Sequence, residues 1–233
     1  MNTFTGPFKL MMREMSLTFY INAAITFVLF AFYNILGFIG VADAGSFILF
    51  GPLFIVFLIY PFANFSGYKY ILSLGGTRKQ FVFALYLTAF IYGVISVVLL
   101  NLFYLITNQI NGTIDLLHLA ELTNSSNWLV YVWVDFCWIF SLFSLGMIIK
   151  TIWFNYGTIL SLSAATFLVV IGTIVIVFGD MGWLTEMIFT KHLQFVAILL
   201  GIAIVFLLSA YLLMKNAPLE KSNRMFIRQK KAF

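Results

Sequence analysis

One carboxylate interrupts the apolar runs of this chain. Asp135 lies within Asn127–Ile149, a stretch that is otherwise almost free of charge. Placing an Asp at mid-helix in a bilayer costs roughly 2.5–3.5 kcal/mol, so it must face protein or water rather than lipid. On a helix its neighbours at three and four residues include Tyr131 and Trp138. Two readings stand. Asp135, Tyr131 and Trp138 mark a polar point on a translocation path, or Asp135 is a buried group that accepts hydrogen bonds from a neighbouring helix. A proton relay needs further acids or histidines inside the membrane. His118 and His192 are both expected outside the core, which disfavours proton coupling.

A second constellation lies between two apolar runs and reads Ser66-Gly67-Tyr68-Lys69-Tyr70-Ile71-Leu72-Ser73-Leu74-Gly75-Gly76-Thr77-Arg78-Lys79-Gln80. Thr77 and Gln80 have capping-box spacing, so Thr77 is expected to start the helix that follows. Gly75 and Gly76 suit a sharp turn, because glycine takes positive φ freely. Gly67–Leu74 is expected to form one or two helical turns parallel to the membrane. Tyr70, Ile71, Leu72 and Leu74 offer apolar contact, and Lys69, Arg78 and Lys79 offer charge. The segment reads equally as a partner-docking surface and as a solvated basic loop.

At the N-terminus Phe4, Phe8, Met11 and Met15 fall on one helical face, with Lys9 and Arg13 on another. The pattern predicts a short amphipathic helix over residues 1–15, lying in the membrane interface. No phosphate-binding loop, His-Glu-x-x-His, paired cysteine or Gly-x-Ser-x-Gly is present. The sequence therefore predicts no catalytic, cofactor-binding or metal site, and any ATP used must be bound by another subunit.

The elements that would position these residues follow from composition. The 233 residues are 63% hydrophobic and 9% charged, against about 25% charged in a soluble domain. That excludes a soluble enzyme, a disordered chain and a nucleic-acid binder. Apolar runs near 20 residues predict an all-α polytopic membrane protein with six spans: Ser16–Ile39, Ser46–Phe65, Phe81–Thr107, Asn127–Ile149, Gly157–Phe178 and Leu193–Met214. The whole chain reads as a single transmembrane domain, with the six-helix bundle over 16–214 and a basic cytoplasmic tail over 215–233. Twelve of the 13 Lys and Arg residues then fall on one side and Lys191 alone on the other. By the positive-inside rule both termini are expected in the cytoplasm. Short surface helices are expected in the outer segments Asn108–Ser126 and Gly179–His192. Small residues at four-residue spacing (Ala89 and Gly93; Gly157, Ser161 and Ala165; Ala197 and Gly201) mark close helix approaches.

The topology and the run Leu72-Ser73-Leu74-Gly75-Gly76-Thr77-Arg78-Lys79-Gln80-Phe81 resemble the membrane subunit of a type-2 ATP-binding-cassette (ABC) exporter. The run is similar to a Leu-Gly-x-Ser/Thr-Arg-Lys-x-Phe stretch in small permeases of this kind, many of them from Gram-positive bacteria. The resemblance implies a plasma-membrane permease paired with a second permease subunit, identical or related. Two copies of an ATPase subunit, carrying ATP and Mg, would dock below. It implies that Lys69–Leu74 with Gly75–Lys79 is the turn that couples to the ATPase. The N-terminal amphipathic helix would lie beside that turn. The alternative is a six-span gradient-driven carrier or membrane assembly protein with no ATPase partner.

Overall fold

The computed structural model describes residues 4–39, 51–110, 118–123, 127–179 and 182–217. The described chain is all-helical, in the order α1 (Thr5–Ile39), α2 (Gly51–Asn64), α3 (Gly67–Ser73), α4 (Arg78–Ile110), α5 (Trp128–Tyr156), α6 (Thr158–Phe178), α7 (Gly182–Phe189) and α8 (His192–Lys215), with a 3-10 turn at Leu119–Thr123. Five helices are long and apolar enough to cross a membrane, and six if α2 and α3, bent by 44° from one another, count as one span. Residues 46–50 of the expected second span, and the basic tail beyond Ala217, lie outside the described residues.

Two expected boundaries shift. The separate interfacial helix is not seen, because α1 runs unbroken from Thr5 through the expected break at Met15 and Ser16. Pro7 sits in its first turn, where a missing N–H costs nothing. The Met11–Met15–Phe19 face is buried in protein, not laid on lipid headgroups, and a Cβ at Gly67 of α3 would strike Met11 Cε. Helix α4 starts at Arg78, where the Thr77 capping box places it and three residues before the apolar run that begins at Phe81. Helix α5 continues past Ile149 to Tyr156, because nothing breaks it before Gly157. The charge this draws into the helix, Lys150, places its ammonium over the faces of Trp153, Phe62 and Phe65 at 4.8, 5.5 and 5.8 Å.

Helix α5 is the axis of the bundle, packed against α8, α2, α4 and α6. The tightest approach is at Gly146, where a Cβ would collide with the Leu58 carbonyl of α2. Of the small-residue pairs, Ala89 and Gly93 serve this purpose, with Gly93 against Ile139 of α5 and Phe57 of α2. Ala197 and Gly201 are exposed. Helix α6 joins α5 through Gly157 alone, at φ +86°, and the Trp153 indole N–H donates to Thr158 Oγ1 at 3.0 Å across the joint. No residue within the α6 span is buried.

The helix ends sort by charge. Lys9, Arg13, Lys69, Arg78, Lys79, Lys150 and Lys215 lie at one end of the bundle, where α3 meets α1 and Arg78 Nη1 donates to the Lys215 carbonyl at 3.3 Å. The 3-10 turn and α7 lie together at the other end.

Replacing Gly146 with Ala should force α2 and α5 apart and cost about 1–3 kcal/mol. Denaturant unfolding of the detergent-solubilised variant against wild type reads this directly. The same substitution at the open Gly201 should leave stability within about 1 kcal/mol, the propensity difference between Gly and Ala.

Candidate functional site

Two sites stand at opposite ends of the bundle. At the basic end, α3 is closed at its C-terminus by paired backbone bonds, from Gly75 N–H to the Leu72 carbonyl (3.1 Å) and from Gly76 N–H to the Ile71 carbonyl (2.8 Å). This is the Schellman arrangement, with Gly75 at φ +82° where an L side chain would be strained. Two residues later the capping box closes α4: Thr77 N–H donates to Gln80 Oε1 (2.8 Å) and Gln80 N–H to Thr77 Oγ1 (3.2 Å). The turn is thus locked on both sides. Its inner face is fixed by aromatic packing, with Tyr68 wedged between Phe81 of α4 and Phe154 of α5 at 5.2 and 5.1 Å.

The residues expected to form the coupling turn divide into two groups. Ile71 is buried, Leu72 is half-buried, and Arg78 is tied to the α8 carbonyl, so these hold the turn in place. Lys69, Tyr70 (64% exposed), Leu74 (85% exposed) and Lys79 face outward. Phe4 and Phe8 of α1 stack at 6.1 Å and pack against the core, while Lys9 and Arg13 are exposed.

At the other end both histidines that were expected outside the membrane core are buried in protein: His192, whose Nδ1 lies 2.9 Å from the Ile188 carbonyl, and His118, which is fully buried and bonded to Asp135. Its Nδ1 accepts the Ala120 backbone N–H at 3.1 Å, which puts the ring hydrogen on Nε2. Nε2 then lies 3.1 Å from Asp135 Oδ2. The same oxygen accepts from Asn101 Nδ2 of α4 at 2.8 Å. Three segments thus converge on one carboxylate: α4, α5 and the 3-10 turn that follows His118. The other oxygen, Oδ1, is buried with no partner among the described residues. Tyr104 and Tyr131 flank the His118 ring at 4.9 and 4.7 Å, and Tyr104 Oη donates to Glu121 Oε1 at 3.0 Å.

The three residues read as a path therefore separate. Tyr131 joins Asp135 at the α4–α5 seam, whereas Trp138 faces α8, 6.1 Å from Phe195. His118 was not legible as a site residue, because it lies 17 residues before Asp135 in a polar segment. The sequence of that segment suggested only a short surface helix, and the 3-10 turn at Leu119–Thr123 is what the described residues show there. Among the intramembrane asparagines Asn101 crosses to another helix, while Asn22, Asn34 and Asn64 each donate to the carbonyl four residues back. No cluster able to hold a metal ion is found among the described residues.

Beside this site, Glu186 of α7 pairs with Lys191, the residue just before α8, at 2.9 Å, both side chains exposed. The hydrogen bond from Lys191, then its charge, holds the Glu186 carboxyl below its ordinary value of 4.5. Comparison of the chain with protein-family models, with curated proteins and with solved structures finds no match in any of the three.

His118→Ala leaves Asp135 buried with Asn101 as its one remaining donor among the described residues and should cost about 1–3 kcal/mol of stability. Replacing His118 and Asp135 together by Leu should cost less than His118→Ala alone, because no buried carboxyl is then left short of donors. Unfolding midpoints of the single and double variants decide this, and a double variant less stable than the single one contradicts the burial argument. For Glu186, carboxyl NMR should show titration below the ordinary value in wild type and a return towards it in Lys191→Gln. Because the folded value is the lower one, any stabilisation from this pair is present above the ordinary carboxylate pKa and is lost as the pH falls through the lowered one.

Proposed function

We propose that this chain is the membrane-embedded permease subunit of an ABC transporter, an exporter that moves a hydrophobic or amphipathic substrate such as a peptide, drug or lipid. ATP hydrolysis takes place in two copies of a separate ATPase subunit, which hold ATP and Mg, and a second permease subunit completes the pathway. The chain sits in the plasma membrane of a bacterium, with both termini in the cytoplasm. The observation that carries this reading is the turn at the basic end. A loop that only reverses the chain has no need of a Schellman closure, a capping box and an aromatic anchor within 15 residues. Nor does it need to hold Tyr70 and Leu74 out among Lys69 and Lys79. A rigid mount with outward apolar anchors and a basic rim has the make-up of an interface hot spot, and such a mount transmits displacement between a partner and the bundle.

A second reading is favoured by a different observation. The buried His118–Asp135 contact is an acid–histidine pair of the kind a gradient-driven carrier would use. Under that reading no ATPase docks and transport follows an ion gradient.

A tagged wild-type chain, purified from its own cells, should bring down a protein of ATPase size. Tyr70→Glu combined with Leu74→Glu should weaken that association at least tenfold, about 1.4 kcal/mol or more, and leave the unfolding midpoint unchanged because both side chains are exposed. Association that survives the double substitution speaks against the turn as the docking site. Transport that is abolished by a protonophore and indifferent to ATP depletion establishes the carrier reading instead.

A further inference from the structure

A groove of about 190 Å³ runs between the last turns of α4 and the first turns of α5, lined by Asn101, Tyr104, Leu105, Trp128 and Tyr131. Asn101 spends both amide hydrogens, one on the Val97 carbonyl at 2.9 Å and one on Asp135 Oδ2 at 2.8 Å, and keeps only its carbonyl oxygen, an acceptor. Tyr104 has donated its hydroxyl hydrogen to Glu121. The other walls are the rings of Tyr104, Tyr131 and Trp128, whose faces carry partial negative charge, with the Tyr131 hydroxyl and the Trp128 indole N–H at their edges.

Two carboxylates stand directly behind these walls, Asp135 behind Asn101 and Glu121 behind Tyr104. Among the described residues Lys191 is the only Lys or Arg at this end of the molecule, and it is paired with Glu186. A site walled by three aromatic faces, with two carboxylates behind it and no free Lys or Arg beside it among the described residues, suits a cation that is itself partly apolar, which is the condition for cation–π recognition.

We propose that this groove binds the ammonium head of an alkylated amine held in the membrane interface. The size limits the ligand to a head group, since pockets for drug-sized molecules run to about 300–1,000 Å³. The mouth explains where the rest of the molecule goes. Trp128 (63% exposed) and Leu105 form an open apolar lip, and Trp at a span end sits at the headgroup level. An alkyl chain therefore continues along the outside of α4 into the lipid, while the nitrogen lies against the three rings. Asn101 links the groove to the buried site, because its donor side holds Asp135 while its acceptor side faces the ligand. The assignment is independent of whether an ATPase docks at the opposite end.

The test uses the full chain in dodecyl maltoside, which carries neither charge nor amine, and choline as probe. Its neutral carbon isostere, 3,3-dimethylbutan-1-ol, is the control. Ligand-detected NMR should show saturable choline binding at least tenfold tighter than the isostere. Trp128→Leu, a substitution at an exposed position, should abolish that preference, while Tyr104→Phe, which keeps the ring, should retain most of it. Equal binding of choline and the isostere overturns the proposal, as does undiminished choline binding by Trp128→Leu. Competition then identifies the source. Displacement of choline by phosphatidylcholine but not by phosphatidylglycerol, in mixed micelles, assigns the groove to a lipid head group. Displacement by dodecyltrimethylammonium without displacement by phosphatidylcholine assigns it to a free amphiphilic cation. If neither amphiphile displaces choline, the groove does not read membrane-held ammonium groups and the proposal fails.

Discussion

A single carboxylate that lipid cannot solvate organises the acidic end of this protein. Asp135 sits two turns inside α5 with none of its surface exposed, and every donor it uses is brought from elsewhere in the chain. Asn101 brings α4 to it, and His118 pulls the connection between α4 and α5 down onto the bundle. The Ala120 N–H, by fixing the imidazole tautomer, ties the backbone of the 3-10 turn into the same arrangement. Removing the carboxylate would leave a histidine and an asparagine inside a protein whose neighbouring surfaces are nearly all apolar. The seam between α4 and α5 and the seat of the 3-10 turn thus meet on one buried carboxyl.

The opposite end is governed by backbone closure rather than by charge. Its lysines and arginines stay at the surface, and the turn is held by carbonyls, amides and rings. This difference decides what was legible in the sequence. A capping box and a glycine turn are written in residues three or four apart, so Thr77, Gln80, Gly75 and the extent of α3 could be read directly. Five of the six expected spans were readable for the same reason, since hydropathy is local, and the sixth is matched only if α2 and α3 count as one. His118 was not, because the partner that draws it inward is on another helix and its own neighbours are polar. Nor was the continuity of α1. The Phe4–Met15 pattern is that of an interfacial helix, and only the groove offered by α2, α3 and α4 turns its face into protein. Gly146 escaped notice because close approach depends on what faces it, here the Leu58 carbonyl, and not on a second small residue four positions away.

The chain also divides unevenly between packed and unpacked surface. Helices α2, α4, α5 and α8 share the core with the first half of α1, whereas among the described residues α6 makes its only substantial contact with α5. In water such a helix would be untenable, and in a bilayer it is simply solvated. Its attachment through one glycine and one indole bond leaves its angle to α5 less constrained than that of any other span.

Helix α5 carries a fastening near each end. Asp135 is bonded to two donors, and Lys150, 15 residues on, is seated over three rings, a separation of about 22 Å at 1.5 Å per residue. A piston-like slide of α5 by one turn, about 5.4 Å, would strip the carboxylate of its donors and lift the ammonium off Phe62 and Phe65 at the same moment, with Trp153 of α5 travelling alongside it. Axial translation of the central helix therefore breaks both fastenings together. Tilting about α5, with α6 swinging at Gly157, leaves both fastenings intact. Any rearrangement that passes between the two ends of the molecule must travel as rocking around a stationary shaft.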